Sequence, residues 1–364
     1  MNSFSCSRRS FLVVVGALPL GLPRHASART FADDAAEPGD SAGFRVHNWV
    51  RDERNPIFPP GESFDSQRCM NPFVVRRDEE YWLFYGGADS QGAHRICLAT
   101  APIDDLTRWT RHGPLFDRGA KGSFDELWCV LPCVQRIGNR WHLYYTGRGA
   151  SGAGLQSFRG IGLAVSDDLR HWKRLRNEPV LRGDGFPQWP NNAGIAGGGR
   201  ILELPQPDGR TLYRMHYTLA TGTPDKNLLV DQAKHSVIAD SWDGIEWFDR
   251  KVVLQPRLDA PYENAATIAL NVWKSGDRWR AIYAGIGTKF GAYSICEAES
   301  RDGLAWQRGK PGENLALPPS GRGWDSQMTT YPNVVEENGK LRLFYCGNGY
   351  GKTGIGTALA SPIL

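Results

Sequence analysis

One phrase recurs along this chain and constrains its fold more than any other feature. An apolar stretch ending in Tyr-x-Gly appears at Tyr85-Gly86-Gly87, Tyr145-Thr146-Gly147, Tyr283-Ala284-Gly285 and Tyr345-Cys346-Gly347, with a fifth, degenerate copy from Leu212 to Tyr217. In four of the units a second short apolar run follows, at residues 96–100, 161–166, 295–300 and 355–361. A turn and a tryptophan (Trp109, Trp172, Trp247, Trp306) complete the pattern. Strand-length apolar runs separated by Gly, Asp and Asn turns, repeating every ~60 to 75 residues, are the pattern of propeller blades of four strands. The repeats therefore predict an all-β, five-bladed β-propeller.

The chain ends supply an independent argument. The last repeat stops after its third strand, at Ser361-Pro362-Ile363-Leu364, and lacks an outer strand. Residues 49–58, beginning Trp49-Val50-Arg51, read like residues 172–181, beginning Trp172-Lys173-Arg174. An N-terminal strand given to the last blade would close the ring and remove two open sheet edges. Closure predicts one domain over residues 44–364. Ahead of it, Ser7-Arg8-Arg9-Ser10-Phe11-Leu12, the apolar residues 13–22 and Ala26-Ser27-Ala28 read as a twin-arginine signal over residues 1–28. The apolar run, with Pro19 and Gly21 inside it, is too short for a membrane anchor. Residues 29–43, acidic and rich in Ala, Gly and Pro, would be a flexible leader. The expected location is periplasmic or secreted, with the twin-arginine translocase as a transient partner.

A formal net charge of +4, part of it in the signal, argues against nucleic acid as a partner. Thirteen tryptophans exceed what blade packing needs and offer stacking faces for sugar rings. The cysteines have no zinc spacing; Cys69 and Cys129 occupy equivalent places in successive repeats, where buried thiols are favoured over a bridge. No cofactor is expected, and no motif supports an axial calcium ion.

In a propeller the innermost strands line the axis, so equivalent residues of each repeat converge there. Aligning those strands gives Phe64-Asp65, Phe124-Asp125, Tyr262-Glu263 and Trp324-Asp325, an aromatic followed by an acid. Several acids around one axis suit glycosidic cleavage, which needs a nucleophilic or water-activating carboxylate and a protonated partner. The same pairs also suit a strand-start device in which the acid accepts local hydrogen bonds. Further candidate saccharide contacts are Arg68, Asn71, Trp128, Arg148, Asn191, Asn192, His216 and Tyr350, with Arg159 and Trp189 beside them and residues 218–236 as a rim loop.

The Tyr-x-Gly strands, the Ile161-Gly162-Leu163-Ala164-Val165-Ser166 strand and the turn Ser166-Asp167-Asp168-Leu169-Arg170-His171-Trp172 resemble the five-bladed glycosidase superfamily, which includes glycoside hydrolase families 43, 32 and 130. The resemblance spans about residues 44–364 and implies an enzyme acting on an oligosaccharide, with furanosides or pentosides favoured. It implies a base or nucleophile Asp in blade one, a tuning Asp in blade three and a general-acid Glu in blade four. Glu263 matches the last; Asp65 is the candidate base, and Asp125 or Asp325 the tuning charge. The chain departs from the pattern at Met70-Asn71-Pro72, where those families carry Asp before Pro, and at Asn191 and Asn192. Either Asp65 takes the role or the activity is altered or lost. A glycoside phosphorylase, with Arg68, Arg148 or Arg159 holding phosphate, and a non-catalytic glycan-binding propeller are the alternatives.

Overall fold

The computed structural model describes residues 44, 46–150, 157–188, 194–197, 199–221, 233–337 and 339–361, with backbone only at Arg159 and Ser361. The signal, the leader, Trp189, Asn191, Asn192 and most of the rim loop lie outside the described residues. The described chain is nearly all β.

Strand β1 (Asn48–Arg51) comes first, followed by an antiparallel set of β2 (Arg68–Arg77), β3 (Glu80–Ala88), β4 (His94–Pro102) and β5 (Thr110–Pro114). The next set comprises β6 (Trp128–Ile137), β7 (Arg140–Arg148), β8 (Phe158–Ser166), and the two-residue strands β9 (Lys173–Arg174) and β10 (Leu181–Arg182), both paired to β8. The third set has a divided inner strand, β11 (Gly194–Ala196) and β12 (Ile201–Pro205), on β13 (Thr211–Ala220), then β14 (Lys234–Ser241) and β15 (Phe248–Leu254). Strands β16 (Ala266–Ser275), β17 (Arg278–Ile286), β18 (Tyr293–Ser300) and β19 (Leu315–Leu317) form another. In the last set β20 (Thr330–Glu337), β21 (Lys340–Cys346) and β22 (Ile355–Ser361) are joined by β1, which pairs Trp49 with Ala360 and Arg51 with Ala358.

The second strand of each set is buried on both faces, which is why it reads as a continuous apolar run rather than an alternating one. Tyr85, Tyr145, Tyr217, Tyr283 and Tyr345 are all fully enclosed there. The Ser-x-Asp turn is a local hydrogen-bond device. Asp168 Oδ1 accepts the amides of Arg170 and His171, and Ser166 Oγ accepts that of Leu169. The Trp172 indole then donates to the Leu169 carbonyl at 2.9 Å. These bonds, with His171 beside the carboxylate, hold Asp168 well below the usual carboxylate range.

Four inner strands break register at one equivalent place. The shifts fall between Met70 and Phe73, Val130 and Cys133, Ile268 and Asn271, and Thr330 and Asn333. Asn71, Leu131, Ala269 and Tyr331 take left-handed φ values of 55°, 58°, 54° and 52° at these bulges. Proline follows three of them, at a position where the ladder needs no amide donor. Left-handed backbone is unfavourable for side chains with a Cβ, so a bulge repeated from set to set marks a position the fold enforces.

Candidate functional site

The four acids drawn from the aligned repeats do not come together. Each is buried inside its own set and bonded to the tyrosine twenty residues later: Asp65 to Tyr85 (2.8 Å), Asp125 to Tyr145 (2.9 Å), Glu263 to Tyr283 (2.5 Å) and Asp325 to Tyr345 (3.0 Å). An arginine at the outer edge completes each group. Arg111 reaches Asp65 at 2.8 Å, Arg174 reaches Asp125 at 2.9 Å, Arg51 reaches Asp325 at 2.7 Å, and Arg308 reaches Glu263 at 3.3 Å. Glu263 Oε1 also accepts from Asn314 at 3.1 Å.

These are ties between the entry and the outer edge of a sheet, and they explain the repeated phrase. The tyrosine supplies the hydroxyl, and its glycine makes room for the acid-bearing segment. A Cβ on Gly285 would lie 2.6 Å from Glu263 Cβ, and one on Gly147 would lie 2.4 Å from the Phe124 ring. The expectation that Asp65, Asp125, Glu263 and Asp325 form a shared catalytic cluster is corrected accordingly. Each carboxylate is bonded to a tyrosine hydroxyl and a neutralising arginine within its own set, and none lines the cavity around Lys234 and Tyr293. Among the described residues the third set shows no such tie: twenty residues before Tyr217 stands Gly197, whose amide donates to Thr146 Oγ1 at 2.7 Å.

Strands from the other four sets meet around a cavity of about 110 Å³ that none of the first set lines. Its polar lining is Lys234, Tyr293, Tyr331, Tyr350 and Thr218. Bulge residues Leu131, Ala269 and Tyr331 all face it, so the enforced left-handed position is what presents side chains to this space. The Lys234 ammonium donates to the Tyr293 hydroxyl at 2.9 Å. Burial pushes the Tyr331 phenol well above its ordinary value, with Tyr293 and Tyr350 adding to the effect. The Tyr350 phenol is raised mainly by burial, against the pull of Lys234 and Arg68. Among the described residues no carboxylate lines the cavity.

Of the residues expected to touch saccharide, Tyr350 lines the cavity and three others stand against its lining. Arg68 donates to the Gly349 carbonyl at 2.6 Å, beside Tyr350. Trp128 packs 5.7 Å from the ring of Phe158, a lining residue, and Arg148 lies 4.2 Å over Trp128. Asn71 sits buried at the first bulge, where its amide approaches the Tyr331 hydroxyl without forming a well-aligned hydrogen bond. His216 is removed from the cavity: it is buried against the Arg200 carbonyl, and burial lowers it to about 4. Asn191 and Asn192 lie outside the described residues. All six cysteines of the described chain are free thiols, Cys69 and Cys129 included.

Tyr293 and Tyr331 were missed in the sequence, and Lys234 was covered only as part of the rim loop over residues 218–236. Tyr331-Pro332 aligns with Asn71-Pro72 and Leu131-Pro132, so the signal for Tyr331 was present six residues beyond the acid that drew attention. Lys234 and Tyr293 each open the third strand of a set, the place His94 holds in the first.

No family model matches the chain. An uncharacterized protein of Mycobacterium tuberculosis, found in strains H37Rv and CDC 1551, is 29% identical over 312 residues, covering 83% of this chain and 96% of the relative. Among solved structures, one described as a BT0996 RGII complex superposes with a TM-score of 0.66 at 18% identity, covering 88% of this chain and 93% of that one. A structure from work on family 130 mannoside phosphorylases and hydrolases of β-1,2-mannosidic linkages gives 0.63 at 17%, covering 88% and 97%. The fold thus resembles that of glycoside hydrolases, with family 130 and family 43 structures among those it matches.

Proposed function

We propose that this chain is a glycan-acting enzyme of the glycosidase-propeller type, exported through its twin-arginine signal, and that saccharide binds at the central cavity. Five blades closed by the N-terminal strand are part of the proposal, supported by the pairing of β1 with β22. The observation that carries it is the coincidence of a glycosidase-like fold with a cavity lined by tyrosines and a lysine where strands of several sets converge. Aromatic faces suit the C–H side of a sugar ring, and hydroxyl and ammonium groups suit its oxygens. Proton transfer to a glycosidic oxygen falls to the Tyr293 hydroxyl, polarised by Lys234, because the expected carboxylates are engaged elsewhere. Hydrolysis of an oligosaccharide is the proposed reaction.

A second reading, a glycan-binding propeller without catalysis, is favoured by one observation. Asn71 occupies the pre-proline bulge where the resemblance implies Asp, and an amide cannot take up a proton as a carboxylate does. Incubating the mature protein with plant and microbial oligosaccharides and aryl glycosides separates the two. Release of sugar that is lost in Tyr293→Phe supports the enzyme. Calorimetric binding with no product after prolonged incubation supports the binder, and neither binding nor product from any saccharide contradicts both.

A further inference from the structure

One row of residues crosses the first two sets at the level of the cavity. Backbone pairing runs from Arg68 to Ala88, Ala88 to His94, His94 to Trp128, Trp128 to Arg148 and Arg148 to Phe158, which lines the cavity. In the third and fourth sets the equivalent row runs through Ala220, Lys234, Ala266, Ile286 and Tyr293. The described residues of these rows include three permanent cations and no acid.

Arg68 and Arg148 differ from the arginines of the buried ties. Among the described residues neither has a carboxylate partner. Arg68 Nη1 bonds only a carbonyl, and Arg148 Nε bonds the Ser157 hydroxyl at 2.9 Å, leaving both Arg148 Nη groups open. Both are partly exposed. The Arg148 guanidinium carbon lies 4.2 Å over the Trp128 ring, and the His94 ring packs against the same indole at 4.0 Å, tilted by 31°. His94 adds no charge near neutral pH: burial, the largest cause, and both arginines hold it at about 4. With Nδ1 donating to the Gly92 carbonyl at 3.0 Å, its Nε2 is an acceptor for a sugar hydroxyl. The nearby Asp89 is bound by Arg95 and by the amides of Gln91 and Ala93.

Two guanidinium forks with open donors, one of them over an indole face and both close enough to His94 to lower its pKa, match a planar or tetrahedral oxyanion attached to a sugar ring. We propose that the saccharide taken by this site carries an oxyanion substituent, a carboxylate or an ester sulfate or phosphate, and that Arg68 and Arg148 select it. This rests on the saccharide reading above and adds the chemical class of the ligand.

The test is calorimetry on the mature protein at neutral pH with trigalacturonate, its neutral methyl ester, a sulfated and a phosphorylated trisaccharide, and inorganic phosphate. At least one charged saccharide is expected to bind about tenfold or more tightly than the neutral ester, the one that does so identifying the substituent. In Arg148→Gln and Arg68→Gln, each confirmed folded by a cooperative melt, the ratio of charged to neutral affinity is expected to fall close to one. Arg148→Lys, which keeps the charge on the stack, should retain part of it. A neutral saccharide that binds as tightly as every charged one overturns the proposal and leaves saccharide recognition standing. Arginine-dependent binding of inorganic phosphate with no charged-sugar preference also overturns it, and absence of binding by any saccharide removes both.

Discussion

Tyr145 and Tyr293 are both fully buried, yet they belong to regions with opposite chemistry. The Tyr145 hydroxyl is enclosed by Asp125 and Arg174, one carboxylate and one cation that neutralise each other inside a sheet. The Tyr293 hydroxyl meets Lys234 at the wall of an open cavity. In the first region every charge has its counter-charge within the set; the described lining of the second holds a lysine and no carboxylate. The charges that recur in equivalent places pair within their own sets and hold the blade, whereas the polar groups that differ between repeats line the cavity.

That contrast can be broken most forcefully at a tie. Asp125→Ala leaves Arg174 without its partner in a mostly buried setting, and a loss of about 3 kcal/mol or more is expected in urea denaturation. A melt within error of wild type would show that the tie contributes little. Acid probes the buried histidines. His94, His216 and His235 are each held at about 4 by burial, below the unfolded value near 6.5. Their neutral forms stabilise the fold fully above pH 6.5, and that contribution, up to about 3 kcal/mol for each, is lost as pH falls toward 4. Stability that stays flat between pH 6.5 and 4 would contradict this. Gly147→Ala, which crowds the Phe124 ring and Asp125 Cβ, should cost about 1 to 3 kcal/mol in the same assay. The smallest expected effect is at the exposed turn, where Asp168→Ala removes the oxygen that accepts from two backbone amides for about 1 kcal/mol, with saccharide binding untouched.

The strand pattern was legible because each repeat must bury both faces of a short sheet, which leaves apolar runs between turn residues. The pairing of Trp49-Val50-Arg51 with the last strand was legible for the same reason, from the likeness to Trp172-Lys173-Arg174. The site was less so. Asp65 and Glu263 looked catalytic because acids at equivalent places in a ring are expected to face one axis, whereas a residue several positions before the bulge faces its own sheet's tyrosine and outer arginine. No local signal assigned those arginines, since Arg111 lies 46 residues from Asp65 and Arg51 lies 274 from Asp325. The cavity residues vary from set to set, Leu131, Ala269 and Tyr331 at one position, so a search for recurrence passes over them.

Glu263→Gln and Lys234→Met, assayed side by side for saccharide binding and turnover against their melting curves, decide between the two regions. The account predicts that Glu263→Gln lowers the melting temperature while the folded protein keeps its affinity and rate, and that Lys234→Met melts normally but loses tenfold or more in one or both. Loss of turnover in Glu263→Gln with an unchanged melt, beside a fully active Lys234→Met, would contradict it.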